Sequence, residues 1–201
     1  MSRTSLLIIA LVAVLGLAAG GAMVWRLSGP GEAGGAQGQA KVGGPFQLVN
    51  QDGQAVDESI LKGRWSVVFF GFTYCPDICP STLQAVAVAQ EELGARARDL
   101  QVVFISVDPE RDTPEQLKTY LSLDAFPDNV VGLTGTPEQV AAAAKAYYVY
   151  YRKSGEGPNY TVDHSTAAYL MDPDGQFNRV LAYGLPPQEM ARLIRTAMQG
   201  G

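Results

Sequence analysis

Apolar residues in this chain fall into one long run and several short ones. Leu6 to Val24 is unbroken, 19 apolar or glycine residues bracketed by Arg3 and Arg26. At roughly 1.5 Å per residue, a helix of that length crosses a hydrocarbon core of about 30 Å. The run exceeds the ~7–15-residue core of a cleaved signal peptide, the rival for which Ala18-Ala19-Gly20-Gly21-Ala22 supplies small residues. It predicts a retained transmembrane anchor over residues 1–27. Flanking charge barely orients it, with one arginine on each side. A short N-terminal stub stays inside most easily, which puts the rest of the chain outside the cytoplasm. Ser28 to Gly44 is mostly Gly, Ala, Gln and Pro, too poor in apolar bulk to pack, and predicts a flexible linker over 28–44.

Beyond the linker the pattern alternates between two periods. Val67-Val68-Phe69-Phe70 ends at Gly71, and Val102-Val103-Phe104-Ile105-Ser106-Val107 ends at Asp108-Pro109; both read as buried strands. Between them Leu83, Val86, Ala87 and Leu93 recur at helical spacing, so the two strands are parallel neighbours joined by a helix. Phe46–Val49 and Gln54–Val56 flank Asp52-Gly53 as a small hairpin. Thr113-Pro114-Glu115-Gln116 and Thr136-Pro137-Glu138-Gln139 are the same tetrapeptide, each a capping box with proline at the first helical position. They start helices carrying Leu117, Tyr120 and Leu121, then Val140, Ala143, Ala144 and Tyr147. A strand over Ala167–Met171, a turn at Asp172-Pro173-Asp174-Gly175 and a strand over Phe177–Ala182 predict a second hairpin. Pro187–Met198 is a last helix, burying Met190, Leu193, Ile194 and Ala197. The order βαβα, then a hairpin and a helix, predicts an α/β sandwich of the thioredoxin type over residues 45–201.

Charge and cysteine placement narrow the chemistry. From Lys41 onward the chain holds 13 Lys+Arg (15 less Arg3 and Arg26) and 19 Asp+Glu (20 less Glu32). That formal −6 argues against a nucleic-acid partner. The only two cysteines, Cys75 and Cys79, stand directly after the first long strand in Thr73-Tyr74-Cys75-Pro76-Asp77-Ile78-Cys79-Pro80. Pro80 suits the first position of a helix, where its missing N–H has no partner to lose. Both thiols then face the N–H groups of a helix N-terminus, which favours the thiolate that binds metal or attacks disulfides. In a helical turn an i, i+4 pair sets the Cβ atoms about 5–6 Å apart, within reach of one metal ion. The plain alternative is a structural disulfide or two small buried residues. The stiff, polar Pro76-Asp77 setting weighs against it.

His164 is the only histidine. A lone histidine is more often a surface or satisfied residue than a ligand. This one stands beside Asp163, just before a strand, in a loop that such a fold brings toward the cysteine turn. Two thiolates and an imidazole suit copper: soft sulfur selects Cu(I), and the imidazole lets Cu(II) bind too. Structural zinc takes four ligands, usually Cys and His, and only a carboxylate, Asp77 or Asp163, is at hand to complete such a set. The plainer role of Asp77 and Asp163 is to orient the imidazole and add local charge from outside the ligand set.

Gly71 to Pro80, Val107-Asp108-Pro109-Glu110-Arg111-Asp112-Thr113-Pro114 and Val162-Asp163-His164-Ser165 form three blocks in order. Together they resemble the signature blocks of the SCO/SenC copper chaperones. The resemblance covers the chain from about Lys41 onward, together with the anchor topology. It implies a membrane-anchored, thioredoxin-like protein that helps build the binuclear copper A centre of cytochrome c oxidase. It also implies Cys75, Cys79 and His164 as copper ligands. The expected partners are the oxidase subunit carrying the copper A site and an upstream protein that supplies the copper. In the second block Arg111 has Asp108 or Asp112 to pair with, as a loop lock or in a role near the site.

The enzymatic alternative is a thiol–disulfide oxidoreductase acting on the oxidase's cysteines or on general substrates, with Cys75 and Cys79 as its redox pair. The usual redox spacing is Cys-x-x-Cys, one residue shorter than here. Thioredoxins also carry a cis-proline facing their cysteines, whereas Asn159 to Asp172 holds no proline and has His164 in that stretch. A thiol peroxidase, suggested only by Thr73 near Cys75, needs no histidine ligand. Copper delivery and reduction of the target's cysteines are compatible, since a dithiol site must be reduced to take metal. An anchor beginning at residue 6 leaves no room for an Arg-rich transit peptide. This favours a single-pass protein of a bacterial inner membrane, its domain in the periplasm, over one of the mitochondrial inner membrane.

Overall fold

The computed structural model describes residues 42–200. The expected anchor over 1–27 and residues 28–41 of the linker lie outside them. Among the described residues no helix is long and apolar enough to cross a membrane. In chain order the elements are β1 (Gln47–Asn50), β2 (Ala55–Asp57), β3 (Trp65–Gly71), α1 (Ile78–Leu93), β4 (Leu100–Ser106), α2 (Pro114–Leu121) and β5 (Val130–Thr134). They continue with α3 (Pro137–Ala146), β6 (Tyr151–Ser154), β7 (Thr161–His164), β8 (Ala168–Met171), β9 (Phe177–Leu181) and α4 (Pro187–Gln199). Seven strands form one sheet in the order β2-β1-β5-β4-β3-β8-β9, and β6 pairs with β7 as a separate ribbon.

The two longest apolar runs are the centre of that sheet. β3 and β4 pair in parallel from Trp65↔Leu100 to Gly71↔Ser106, and every residue of both strands is buried. Parallel strands covered on both faces read this way. α1 packs on α4, α2 on β5 and α3 on β1. Burying a Val or Phe side chain stabilises by about 1.5–3 kcal/mol, and Val67, Val68, Phe69, Phe70, Val102, Val103 and Phe104 are all fully buried.

Two elements depart from the pattern-based expectation. β5 is a third parallel strand, paired with β4, whose Val130-Val131-Gly132-Leu133-Thr134 is interrupted by glycine. A Cβ on Gly132 would collide with the Leu121 side chain, so the glycine is where α2 seats on the strand. The β6–β7 ribbon gives His164 a strand of its own in place of the expected loop. The twin tetrapeptides also diverge. Thr136 and Gln139 close a full capping box. At α2 the Thr113 hydroxyl accepts from the Gln116 N–H, but the Gln116 side chain donates to Thr73 instead, at 3.2 Å.

Topology brings the three sequence blocks to one edge. β3 and β4 end there together, Gly71 opposite Ser106. β8 runs antiparallel to β3 with Ala168 opposite Phe69, so the residues before β8 return to the same edge. That edge, beyond the C-terminal ends of the parallel strands, is where α/β sheets bind ligands.

Candidate metal centre

After Gly71 the chain turns back, with the Cys75 N–H donating to the Phe72 carbonyl at 3.2 Å. α1 begins at Ile78, not at Pro80, so Cys79 and Pro80 fall in its first turn. Proline is tolerated there because the first N–H groups of a helix have no intrahelical partner. Asp77 precedes the helix without capping it; its carboxylate accepts from the Ser81 hydroxyl at 3.1 Å. A sulfur takes the capping role, since the Cys79 N–H donates to Cys75 Sγ at 3.4 Å. Both cysteines are free thiols, Cys79 buried and Cys75 half-buried. Cys79 lies against the end of β3 so closely that a Cβ on Gly71 would stand 2.7 Å from its Sγ and 2.8 Å from the Phe104 ring.

His164 ends β7, opposite Tyr151. Its Nδ1 lies 2.8 Å from the Ser165 carbonyl oxygen, and its Nε2 lies 3.7 Å from Cys79 Sγ. A carbonyl can only accept, so Nδ1 carries the proton and Nε2 turns its lone pair toward the thiols. Phe69 and Phe72 pack edge-on around the ring, with centroids at 6.4 and 5.8 Å. One donor atom from each of Cys75, Cys79 and His164 lies within 4.8 Å of the other two. A metal held at about 2.0–2.3 Å by nitrogen and sulfur keeps its donors no more than about 4.6 Å apart. A small contraction therefore closes this cluster on one ion, and its donor chemistry fits copper.

The two thiols are unequal. Cys75 is pulled down to about 3, chiefly because the Cys79 thiol donates to it, with the N–H groups of Cys79 and Asp77 adding to that against the cost of burial. The same pairing, together with burial, pushes Cys79 up. The pairing favours Cys75 as the thiolate and Cys79 as the thiol.

The carboxylates flanking these blocks lie outside the cluster. Asp163 pairs with Arg152 at 3.2 Å, and the imidazole is oriented by a carbonyl rather than by Asp163. Among the described residues neither Asp77 nor Asp163 joins the three donors, so neither completes a four-ligand zinc set. Arg111 resolves its choice in favour of Asp108, at 2.6 Å. Asp112 is wholly buried and accepts the Thr73 N–H at 3.0 Å, the Thr73 hydroxyl at 2.6 Å and the Ser106 hydroxyl at 2.6 Å. Burial pushes its carboxyl up against those donors. The sequence offers Asp112 only as a partner for Arg111 and Thr73 only as a hint of a peroxidase, so their contact under the cysteine turn was missed, as was the part of Tyr160. The available signal was a hydroxyl two residues before Cys75 and a second acid in the block holding Arg111.

A sequence model of the SCO1/SenC family matches residues 34–199. Protein SCO1 homolog 1, mitochondrial, of Arabidopsis thaliana is 46% identical over 142 residues, 70% of this chain and 42% of that protein. The chain spans about half the length of the mitochondrial relatives it matches. The crystal structure of Arabidopsis thaliana ScoI with copper bound superposes with a TM-score of 0.75 at 39% identity, covering 80% of this chain and 99% of that one. BsSco superposes with a TM-score of 0.61 at 28% identity, covering 80% of this chain and 95% of its own. It is described as having a disulfide switch and as a member of the Sco family of cytochrome c oxidase assembly proteins.

Proposed function

The chain belongs to the SCO1/SenC family, and from that premise we propose that it is a membrane-anchored copper chaperone delivering copper to the copper A centre of cytochrome c oxidase. One observation carries the reading: two thiols and an imidazole within 4.8 Å of one another, with Nε2 left free because Nδ1 is committed to the Ser165 carbonyl. Cys75, Cys79 and His164 hold one copper as cargo. Cys75 arrives ionised, and Cys79 gives up its proton on binding. The two sulfurs suffice for Cu(I); Cu(II) needs the imidazole as well. The copper-bound Arabidopsis relative and the oxidase-assembly family of BsSco support the assignment. Residues 1–27 anchor the protein in the inner membrane, 28–44 tether it, and 45–201 work in the periplasm. There an upstream donor loads it and the oxidase subunit carrying the copper A site receives the metal.

Copper per chain after reconstitution under reducing conditions tests this directly. Wild type should hold one copper, and Cys75→Ser and Cys79→Ser should lose it. His164→Ala should lose Cu(II) and its thiolate-to-copper absorption while keeping most Cu(I). Undiminished binding in either cysteine variant would sink the proposal.

The unequal thiols favour a second activity on the same site. The half-exposed Cys75 thiolate attacks a target disulfide, forming a mixed disulfide and releasing one target thiolate. Cys79 then loses its proton and displaces the second, leaving a Cys75–Cys79 disulfide and a target reduced by two electrons. A dithiol copper acceptor would be prepared by that reaction. If His164→Ala sustains oxidase assembly at low copper while the purified domain reduces insulin briskly, reduction is the main role and delivery is not.

A further inference from the structure

We propose that the loop from Asp108 to Asp112 is a brace that sets the distance between His164 and the cysteine pair, with Arg111 as its positioning residue. The proposal rests on the ligand assignment above. One end of the brace holds the cysteine turn. Asp112 takes the N–H and hydroxyl of Thr73, two residues before Cys75, and the hydroxyl of Ser106 at the end of β4. The other end holds the histidine strand through Tyr160, the residue immediately before β7. The Tyr160 hydroxyl donates to Asp108 at 2.5 Å, and Arg111 donates from Nε to Asp108 at 2.6 Å and from Nη1 to the Tyr160 carbonyl at 3.0 Å. The guanidinium carbon lies 3.6 Å from the centre of the Tyr160 ring and 4.6 Å from that of Tyr74, beside Cys75. One planar cation therefore touches both the cysteine turn and the residue that leads into the histidine strand.

Apart from the Phe69 and Phe72 rings packed around His164, the histidine ribbon has few other ties. β6 and β7 form a two-stranded sheet apart from the main one, and an isolated hairpin is marginal in water. Val162 is its one buried side chain within β7. Its ion pairs Arg152–Asp163 and Lys153–Glu110 are solvent-exposed on both partners, and such pairs contribute little. The Arg111–Asp108 pair differs, with side-chain exposures of 15% and 4%. Arg111 Nη2 finds no hydrogen-bond partner among the described residues, so Asp108, the carbonyls of Tyr160 and, at 3.4 Å, Pro158, and the two rings fix the group. A lysine cannot reproduce that geometry, because it lacks the planar fork that reaches carboxylate and carbonyl together. Removing Arg111 frees His164 and leaves the cysteine turn on Asp112.

The test compares wild type with Arg111→Gln, Arg111→Lys and Tyr160→Phe in two measurements. In the metal-free protein, amide hydrogen exchange over Thr161–His164 should quicken in Arg111→Gln while exchange in β3 and β4 stays put. In competition titrations Cu(II) affinity should fall by about 10–100-fold, the usual effect of losing a group that orients a ligand. Cu(I) affinity, carried by the two thiolates, should hold at the wild-type value. Arg111→Lys should not restore Cu(II) binding, and Tyr160→Phe should shift it in the same direction by less. Equal loss of both oxidation states, or wild-type Cu(II) affinity in Arg111→Gln, overturns the brace. Should Arg111→Gln not fold, Tyr160→Phe, which removes only the hydroxyl on Asp108, decides by the same two readings. His164→Ala separates the failures. If it leaves Cu(II) affinity intact, the ligand assignment is what has failed, and the exchange rates alone decide whether the loop restrains β7.

Discussion

Alanine at position 71 tests how tightly the end of β3 sets the site. The added Cβ would stand 2.7 Å from Cys79 Sγ and 2.8 Å from a Phe104 ring carbon, whereas non-bonded carbon contacts prefer about 3.5–4.0 Å. Sulfur and ring must therefore retreat by roughly 1 Å between them and the new methyl. Neither has room, because Cys79 and Phe104 are both 0% exposed. Overpacking of this kind costs about 1–3 kcal/mol, and at this domain size each kcal/mol lowers Tm by about 2–4 °C. A metal site tolerates displacements of only about 0.2 Å, so the effect on copper should be the larger one. Cu(I) and Cu(II) affinity should fall together, since Cys79 is a proposed ligand of both; that pattern differs from the selective Cu(II) loss expected of His164→Ala. Thermal unfolding of the metal-free variant and competition titration with each oxidation state make the comparison. A Gly71→Ala protein that melts several degrees lower yet binds both forms like wild type would refute the reasoning. So would one that melts unchanged.

Cys75 ionises at about 3 when folded, against about 8.5 in an unfolded chain. A depressed acid stabilises fully above the unfolded value and loses that contribution as pH falls toward the folded one, so acidification from about pH 8.5 should narrow the stability gap between wild type and Cys75→Ser in denaturant titrations. Iodoacetamide should label Cys75 in the metal-free protein at pH values where an ordinary cysteine is inert, and leave Cys79 alone. Thr73→Val keeps the shape but takes one donor from the buried Asp112, which should cost about 1–3 kcal/mol in chemical denaturation. A protein lacking residues 1–40 should remain folded and bind copper; aggregation or loss of binding would place the boundary elsewhere.

The central strands were legible because they carry the strongest signal a sequence holds. Val67–Phe70 and Val102–Ile105 are continuous apolar runs, the pattern expected of central strands covered on both faces. β5 and the β6–β7 ribbon were not legible, for opposite reasons. β5 is five residues with a glycine at its middle, a break that argues against a strand until Leu121 is seen seated on it. β6 is Tyr151-Arg152-Lys153-Ser154, polar and largely exposed. Its existence depends on pairing with β7, a partner that periodicity along one segment cannot report.

At the site, residue scarcity singled out the candidate donors: two cysteines and one histidine in 201 residues leave little choice. What scarcity could not supply is orientation. Asp163 sits beside His164 in sequence, yet adjacent strand residues point to opposite faces, so it reaches Arg152 across the ribbon while a backbone carbonyl fixes the imidazole. Asp108 and Asp112 look interchangeable as partners for Arg111. They are not, because the Asp112 N–H closes a turn on the Asp108 carbonyl at 2.9 Å. That turn sends one carboxylate under the cysteine loop and leaves the other facing Tyr160. Gln116 follows the same logic: its sequence promises a capping box, and its side chain leaves the helix to reach Thr73. Gln116 and Asp112 both leave their own segment to reach Thr73, two residues before Cys75. Local preference yields where the chain must hold a cluster of polar and ionisable groups that burial alone would disperse.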